Sequence, residues 1–412
     1  MPAPAPLEST FYVYPEDLVG EGPPVVLDAL RDRAGVRGVN LAVTYHASRA
    51  LHPHNPAGAV FYSDPGVLAF PLDPALWRAS RLRPGAPSAA GDLLAELCAG
   101  AGERGMDTNA WTVFFHSDRL GFEHPDCATR SAFGDPFSTD LCPANPVVQE
   151  YAHTLVESVA RHPVRDIRAE SLHYHPWRHG YHHEFQFVQL RPLDELLLGL
   201  CFCEHCRAVA RGAGIDIDAV QRVTRSTLEE RFAAAPEADP ENAEPTLEDL
   251  RRLAGADLDR FLAERARVVT SLTAALRRRA EAHGTSLTFV DLTGVVKPAP
   301  VGEAASLSID NGWRNGMDAA ALAKEGSAIA ALAYGAGVGD LAADLDGYLR
   351  RVPADRLTVS LLPWWPDCLD ATVLAEKVGE IRARAIPRVD FWNYGLVPSA
   401  ALDWVRQALG EP

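Results

Sequence analysis

The sequence predicts an α/β protein, a single (β/α)8 TIM barrel over residues 1–412 with a long insertion after the fourth strand. Eight short apolar runs alternate with amphipathic helical patterns, which is typical of a parallel sheet covered by helices. Each run ends in polar or aromatic residues, as barrel strands do at their carboxyl ends. No glycine-rich phosphate turn follows a run, which disfavours the alternative of a doubly wound open sheet.

The predicted elements follow one another along the chain. A helix near Pro24–Ala34 follows the first strand, and Pro23 and Pro24 fit its start. A helix over Ala371–Arg384 separates the last two strands. The predicted strands are Phe11–Tyr14, Val39–Thr44, Ala110–Phe115, Asp166–Ala169, Leu287–Asp291, Ile329–Tyr334, Leu357–Leu362 and Val389–Tyr394.

The largest insertion covers residues 171–285, between the fourth and fifth strands. It contains a histidine-rich stretch, a cysteine cluster and a long helix near Leu247–Ala282. Insertions at the carboxyl ends of barrel strands usually build the wall of an active site. We therefore expect the functional residues of the chain to gather around this region.

The composition limits the partners and the compartment. The chain has 39 basic and 55 acidic residues and a formal net charge of −16, which argues against nucleic acid or an anionic membrane as a partner. Its N-terminal residues show no signal-peptide pattern, and no run is apolar enough to cross a bilayer. We expect a cytoplasmic protein that binds a small molecule or an oligosaccharide, and a homo-oligomer is left open.

The cysteine cluster CFCEHC places Cys201, Cys203 and Cys206 in a C-x-C-x-x-C array. Three thiolates at this spacing can hold one Zn²⁺ if a fourth ligand completes a tetrahedron. Cys142 in DLCPANP is the first choice for that ligand, with Cys127 or His205 next. Three free buried thiols are the alternative. A site closed by four cysteines would be structural rather than catalytic.

The stretch from Leu141 to Arg207 resembles the middle of glycoside hydrolase family 42, the clan A barrel β-galactosidases, through DLCPANP, the helix leading to Glu170, and CFCEHC. The resemblance implies that Glu170 is the general acid/base. It also implies that the ligands of a structural zinc are Cys142, Cys201, Cys203 and Cys206. More loosely, the whole chain resembles bacterial glycoside-hydrolase-like barrel proteins.

The chain departs from the family pattern at three points. Ala169 precedes Glu170 where the family has asparagine, and the segment from Glu170 to the cysteine array is much longer. After the seventh strand, Asp367 is the only acid where the family has a nucleophilic glutamate. We therefore expect an inverting or otherwise altered mechanism rather than the retaining mechanism with two glutamates.

The stretch HYHPWRHGYHHE follows Glu170 directly. Two interpretations compete for its histidines. In the favoured one, they bind sugar hydroxyls or a carboxylate and one relays protons for Glu170. In the other, two or three of them and a carboxylate hold a second, catalytic divalent metal. His46 and His116 end neighbouring strands and fit either arrangement. The candidate residues in the stretch are His173, His175, Arg178, His179, His182, His183 and Glu184.

Aromatic and amide side chains at the other predicted strand ends suit a pocket for a ring-shaped ligand, with core packing as the alternative. They are Tyr45, Tyr334, Trp364, Trp365, Asn393 and Tyr394. A glycosidase needs two carboxyl groups on either side of the scissile bond. Asp291 and Asp310 are the best predicted partners for Glu170, ahead of Asp367, Glu184 and Asp17.

Three functions follow from these residues. The leading one is a carbohydrate-active hydrolase, a glycosidase that uses Glu170 as general acid/base. The second is a metal-dependent barrel lyase, isomerase or hydrolase that acts on a sugar or a small polar molecule through the histidine-rich stretch. The third is a non-catalytic sugar-binding barrel. No Ser-His-Asp, Walker or dinucleotide signature points elsewhere.

Overall fold

Eight parallel strands close into a barrel in the computed structural model, which describes residues 7–87, 91–178, 185–238, 243–294, 308–334 and 337–410. Each strand pairs with its neighbours in sequence, and the last pairs with the first. This topology confirms the predicted (β/α)8 barrel. The strands are β1 Glu8–Val13, β2 Gly38–Thr44, β3 Asp107–Val113, β4 Asp166–Glu170, β5 Ser286–Asp291, β6 Ala328–Leu332, β7 Leu357–Leu361 and β8 Arg388–Phe391.

Helices cover the outside of the barrel, and Ala29–Ala34 continues the second of them as a π-helical turn. The predicted long helix is Leu247–Glu281, which is interrupted at Ala254 and Gly255. The helices are α1 Pro15–Glu21, α2 Pro23–Asp28, α3 Leu93–Glu103, α4 Asp118–Glu123, α5 Pro146–Ala160, α6 Pro192–Leu198, α7 Glu204–Gly212, α8 Ile217–Ala233, α9 Leu247–Glu281, α10 Ala319–Lys324, α11 Val338–Leu349, α12 Ala371–Ala383 and α13 Ala400–Leu409.

Two short antiparallel hairpins extend the strand ends. The β2 hairpin joins Arg49–Leu51 to Val60–Tyr62, and the β3 hairpin joins Ala128–Arg130 to Pro136–Leu141. Four helices, α6 to α9, lie between β4 and β5, in the region predicted as the insertion. Within the described ranges, no helix has both the length and the apolar character that a membrane crossing would need.

The strands are buried on both faces, which explains their continuous apolar runs. On β2, Val39, Leu41 and Val43 belong to the hydrophobic core between strands and helices, whereas Asn40 and Ala42 lie inside the barrel. Side chains of successive strand residues point to opposite faces, so this alternation is expected. It decides which residues of each strand can reach a site at the barrel mouth.

Polar side chains fill the barrel interior below the carboxyl ends of the strands. Asn109 Nδ2 donates to Asn40 Oδ1 at 2.8 Å, and Asn40 Nδ2 donates to Thr10 Oγ1 at 2.7 Å. Thr10 Oγ1 donates to Asp390 Oδ1 at 2.7 Å, and an Arg168 guanidinium nitrogen lies 3.3 Å from the same oxygen. We call these five buried residues the polar layer.

Candidate active site at the carboxyl end of the barrel

Glu170 is the last residue of β4, half-buried at the carboxyl end of the barrel. Trp111 of β3 donates a hydrogen bond from Nε1 to Glu170 Oε2 over 2.6 Å. Burial raises the pKa of Glu170 to about 7, although the Trp111 hydrogen bond and the charge of His116 act in the opposite direction. Near neutral pH the carboxyl group is therefore divided between its protonated and ionised forms, as general acid/base work requires.

Aromatic rings surround the Trp111 side chain next to Glu170. The ring centroids of Tyr12, Tyr14 and Tyr45 lie 5.0, 5.4 and 4.9 Å from that of Trp111. Tyr14 Oη donates to Tyr45 Oη at 3.3 Å. Burial and the charge of Glu170 both raise the pKa of Tyr45, so its hydroxyl stays protonated beside the carboxyl group. The predicted mouth residue Tyr45 thus lies in the surroundings of Glu170.

A second aromatic pair lies at the ends of β6 and β8. Tyr334 and Trp392 stack with their ring centroids 5.5 Å apart, and both side chains are half-buried. Burial raises the pKa of Tyr334, with smaller contributions from Tyr12 and Glu170, so this ring is also within electrostatic range of Glu170. Half-buried aromatic rings around a carboxyl group can stack on the apolar faces of a ring-shaped ligand.

Four histidines form an arc along the β2 to β4 side of the mouth. His46 stacks on Tyr45 with ring centroids 4.1 Å apart, and His116 follows His46 at 4.6 Å. His175 lies 5.1 Å from His116, and His173 lies 5.2 Å from His175. The structure therefore brings together four of the histidines that the sequence singled out, in one line that begins at Tyr45.

His116 and His175 share one carboxylate. His116 Nδ1 lies 3.1 Å and His175 Nδ1 2.8 Å from Asp140 Oδ1, and all three side chains are buried. Burial opposes ionisation of Asp140, but the adjoining imidazoles hold its pKa below the usual range. Burial lowers the pKa of His175, whereas for His116 the Asp140 contacts outweigh burial and raise the pKa. We call these three residues the histidine–aspartate cluster.

The two predicted partner acids make their described contacts with other residues, and their pairing with Glu170 stays a prediction. Asp291 is buried and accepts hydrogen bonds from Thr293 Oγ1 at 2.6 Å and from the hydroxyl of Tyr348 on α11. Because Val290 lies inside the barrel, the next side chain on β5 faces the helices. Asp310 is exposed and forms an ion pair with Arg351 at 2.5 Å.

The two predicted tryptophans after β7 lie in different environments. Trp364 packs on Trp404 of α13 with ring centroids 4.0 Å apart, in the layer of helices. Trp365 is 70% exposed. The alternative of core packing therefore describes Trp364, and among the described residues no ring contact joins the exposed Trp365 to Trp111 or Tyr45.

The predicted residues after β8 are buried in the protein. Asn393 is fully buried, and the Tyr394 hydroxyl donates to Glu21 Oε2 at 2.8 Å.

Arg178, in the histidine-rich stretch, forms an ion pair with Glu195 on α6 at 2.5 Å. The candidates outside the described residues are His179, His182, His183 and Glu184.

Four buried cysteines meet away from Glu170, at the start of α7. Cys142 Sγ lies 3.5, 3.9 and 3.4 Å from the Sγ atoms of Cys206, Cys201 and Cys203. Thiolates bound to a tetrahedral zinc at about 2.3 Å are about 3.8 Å apart, so the donor set fits such an ion. The cluster is compatible with a structural metal site, and Cys142, not Cys127 or His205, completes it.

Two cavities adjoin these groups. One of about 500 Å³ lies between α1 and the β2 hairpin and reaches Tyr14 and Tyr45. The other, of about 270 Å³, lies beside the β3 hairpin, with Asp140 and His175 in its lining together with Phe137 and Trp177. Both cavities therefore open on residues of the aromatic group or of the histidine–aspartate cluster.

Sequence reasoning missed Trp111, Tyr14, Trp392 and Asp140. The period-two alternation of strand residues was the available signal for Trp111, which shares a face with Asn109, and for Trp392, which shares a face with Asp390. Asp140 belongs to a hairpin 24 residues from His116 in sequence, and no local pattern connects the two.

Comparison with solved structures finds barrels of the same fold. The chain aligns with an α-L-fucosidase isoenzyme 2 from Paenibacillus thiaminolyticus (TM-score 0.53, 12% identity, 98% of this chain and 49% of that one). It aligns equally with the β-amylase catalytic domain from Paenibacillus polymyxa (0.52, 12%, 97% and 97%) and with a β-galactosidase from Marinomonas ef1 (0.51, 12%, 98% and 59%).

These likenesses establish the fold. The chain spans about half the length of the fucosidase and about three fifths of the β-galactosidase, but nearly all of the β-amylase domain. No protein-family model and no curated protein matches the sequence.

Proposed function

We propose that the chain is a carbohydrate-active hydrolase in which Glu170 is the general acid/base. The observation that carries the proposal is the Glu170 carboxyl group at the end of β4, half-buried, bonded to Trp111 and with its pKa raised to about 7. Barrel enzymes place their catalytic groups at this end of the strands. A carboxyl group that is protonated near neutral pH can give a proton to a leaving glycosidic oxygen.

The surroundings of Glu170 support a sugar as the ligand. Tyr45 packs against Trp111, which bonds to Glu170, and Tyr334, which stacks on Trp392, is within electrostatic range of Glu170. The similar structures bear the names of an α-L-fucosidase, a β-amylase and a β-galactosidase, which are all glycoside hydrolases. The likeness concerns the fold, and fold alone does not imply function, so the site residues must carry the argument.

The proposal gives Glu170 the protonation of the leaving group and does not include a two-glutamate mechanism. Asp390 lies inside the barrel and, like Glu170, contributes to the raised pKa values of Tyr12 and Tyr334. It is fully buried and paired with Arg168. A nucleophile must reach the anomeric carbon, and a carboxylate held in the polar layer does not. The altered mechanism expected from the sequence therefore remains part of the proposal.

Replacement of Glu170 by glutamine tests the proposal. We expect Glu170→Gln to lower kcat/KM about 100- to 10,000-fold on a substrate with a sugar leaving group. The loss should be much smaller on 4-nitrophenyl β-D-galactoside or α-L-fucoside, because nitrophenolate leaves without a proton. Maltopentaose and lactose serve as the sugar-leaving substrates, after the spectrum of wild-type activity has been established.

Glu150→Gln, an exposed acid on α5, is the matched control and should retain wild-type rates. Equal rates for Glu170→Gln and wild type on the sugar-leaving substrate would contradict the assignment. Sugar binding by both proteins without turnover of any substrate by either would instead favour a non-catalytic sugar-binding barrel.

We also propose that Cys142, Cys201, Cys203 and Cys206 hold a structural Zn²⁺. The donor set, the burial of all four thiols and their mutual distances support zinc, which favours thiolate ligands in closed tetrahedral sites. All seven cysteines are free thiols in the structure, which supports the cytoplasmic location proposed from the sequence.

A second candidate function is a metal-dependent barrel enzyme acting on a sugar or a small polar molecule. The histidine–aspartate cluster favours it, because two imidazoles and a carboxylate offer ligand atoms within 4.8 Å of one another. An ion bound there would polarise a carbonyl or activate a water molecule. Loss of turnover on chelation, with Glu170→Gln still active, would select this function over the glycosidase.

A further inference from the structure

We propose that His116, Asp140 and His175 form a second metal site, which takes a divalent first-row ion such as Zn²⁺. The proposal does not depend on the role of Glu170. The three residues come from three separate segments: the loop after β3, the β3 hairpin and the loop after β4. Nothing in the local sequence brings them together, so their convergence is a product of the fold.

The distances suit a metal site. The two Nδ1 atoms lie 3.1 and 2.8 Å from one oxygen of Asp140, and the three ligand atoms lie within 4.8 Å of one another. Nitrogen and oxygen ligands about 2.1 Å from a tetrahedral zinc are about 3.4 Å apart. Separation of the side chains by a few tenths of an ångström therefore makes room for the ion between them.

The backbone holds the ligands in place. Ser117 N–H donates to Thr139 O and Leu141 N–H donates to Phe115 O, both at 2.8 Å, so the His116 and Asp140 segments are joined as a β-bridge. Thr139 Oγ1 donates to the second oxygen of Asp140 at 3.0 Å. Hydrogen bonds of this kind from outer groups orient the carboxylate ligands of metals.

An unsatisfied buried atom lies beside the cluster. His173 is 1% exposed, its Nδ1 is bonded to Tyr174 O at 2.9 Å, and its Nε2 makes no hydrogen bond with the described residues. Its ring lies 5.2 Å from that of His175. A buried polar atom without a partner is costly, and a water molecule bound to the ion would give it one.

The cluster also has access to a ligand. Asp140 and His175 line the cavity of about 270 Å³, whose walls include the rings of Phe137 and Trp177, 5.8 Å apart. Three protein ligands leave the fourth position of a tetrahedral ion open, as in catalytic rather than structural zinc sites. A small oxygen-bearing molecule with an apolar ring face fits this combination of an open metal position and aromatic walls.

The test is metal binding by the full chain. After removal of metals with a chelator and dialysis against Zn²⁺, elemental analysis should give about two zinc ions per wild-type chain and about one for Asp140→Asn or His175→Ala. Cys203→Ser should lose the other ion. Affinity at the histidine–aspartate cluster should fall more than about 100-fold, since loss of an outer hydrogen bond alone costs about 10- to 100-fold.

His162→Ala is the matched control, because His162 forms a similar pair with Asp92 at 3.0 Å away from the cluster. This variant should leave both ions bound. Cobalt titration of wild type needs no variant: one class of Co²⁺ should show thiolate charge-transfer bands and a second class should lack them. A single Co²⁺ class with thiolate bands, or zinc content unchanged in folded Asp140→Asn, would overturn the proposal. Asparagine has nearly the same shape as aspartate, so we expect the Asp140→Asn protein to fold. Circular dichroism checks this.

Discussion

At the scale of single residues, the environment of Glu170 depends on opposing effects. Burial favours the protonated carboxyl group, whereas the Trp111 hydrogen bond stabilises the carboxylate and His116 adds attraction of opposite charge. The resulting pKa of about 7 lies where a group can both donate and accept a proton. Trp111 therefore influences the protonation of Glu170, and under the proposed function it is a positioning residue for that carboxyl group.

Replacement of Trp111 by phenylalanine should change the pH profile. Phenylalanine keeps an aromatic ring near Tyr12 and Tyr45 but removes the N–H that donates to the carboxylate. The pKa of Glu170 should therefore rise from its wild-type value of about 7. Since the proposed acid works in its protonated form, the alkaline limb of kcat/KM should move to higher pH.

Trp77→Phe is the control for this change, because Trp77 is also buried but its Nε1 makes no hydrogen bond with the described residues. Its pH profile should match that of wild type. An alkaline limb that moves downward in Trp111→Phe, or that moves equally in both variants, would argue against this account of Glu170.

At the scale of secondary-structure elements, Asp291 connects β5 to α11. Its carboxylate accepts from Tyr348 and Thr293, and burial raises its pKa. Tyr348→Phe leaves the buried carboxylate with one donor fewer, so the free energy of unfolding in urea should fall by about 1–3 kcal/mol. Turnover by the folded fraction should stay at the wild-type level. Loss of turnover in a stable Asp291→Asn protein would restore Asp291 as a catalytic candidate.

The cysteine cluster ties the end of the β3 hairpin to the start of α7. Cys203 is the N-cap residue of α7, and Cys142 follows the hairpin directly. If the four thiolates hold zinc, Cys203→Ser should lower the melting temperature and reduce its sensitivity to chelator, because metal binding contributes to folding free energy. Cys368→Ser changes an isolated buried thiol and should leave the chelator sensitivity intact. A wild-type melting temperature that chelator does not affect would contradict the structural metal.

The elements were largely predictable, because strands buried on both faces leave continuous apolar runs in the sequence. Strand ends were less so: the predicted sixth strand ran to Tyr334, whereas β6 ends at Leu332. The direction of the side chain could not be read from the sequence for Asp291. The strand pattern placed Asp291 at the carboxyl end of β5. Whether its side chain points into the barrel or toward the helices depends on the alternation of side chains along the strand, and Val290 takes the inward position. Glu170 ends β4, as the strand pattern predicted, and its catalytic role stays a prediction.

At the scale of the whole molecule, the barrel interior contains an ion pair in place of the usual branched apolar residues. Arg168 on β4 and Asp390 on β8 are each less than 5% exposed and lie 3.3 Å apart. Arg168→Met leaves the Asp390 carboxyl group buried without its cation, and loss of one partner of a buried pair costs about 3–5 kcal/mol. The free energy of unfolding should fall by this amount, as measured by urea denaturation.

The double variant Arg168→Met with Asp390→Asn should recover part of this loss, because the charge of Asp390 is removed while Asp166, 3.4 Å from Arg168, keeps its own. The exposed pair Arg81 and Asp126, at 2.7 Å, provides the control, and Arg81→Met should cost about 1 kcal/mol or less. Equal losses in Arg168→Met and Arg81→Met would mean that the interior pair contributes no more than a surface pair.

The polar layer also has a consequence for the folding of the barrel. Arg168 and Asp390 are 222 positions apart in sequence, and Thr10 of β1 donates to the same acid. A partly folded sheet that contains only β1 to β4 carries Arg168, Thr10, Asn40 and Asn109 on its inner face. It lacks Asp390, the acid of β8 that completes their hydrogen-bond network. Half of this barrel lacks the interactions that make its own inner face stable. We expect the two halves to unfold in one cooperative step, with similar hydrogen-exchange protection for the amides of β1, β4 and β8.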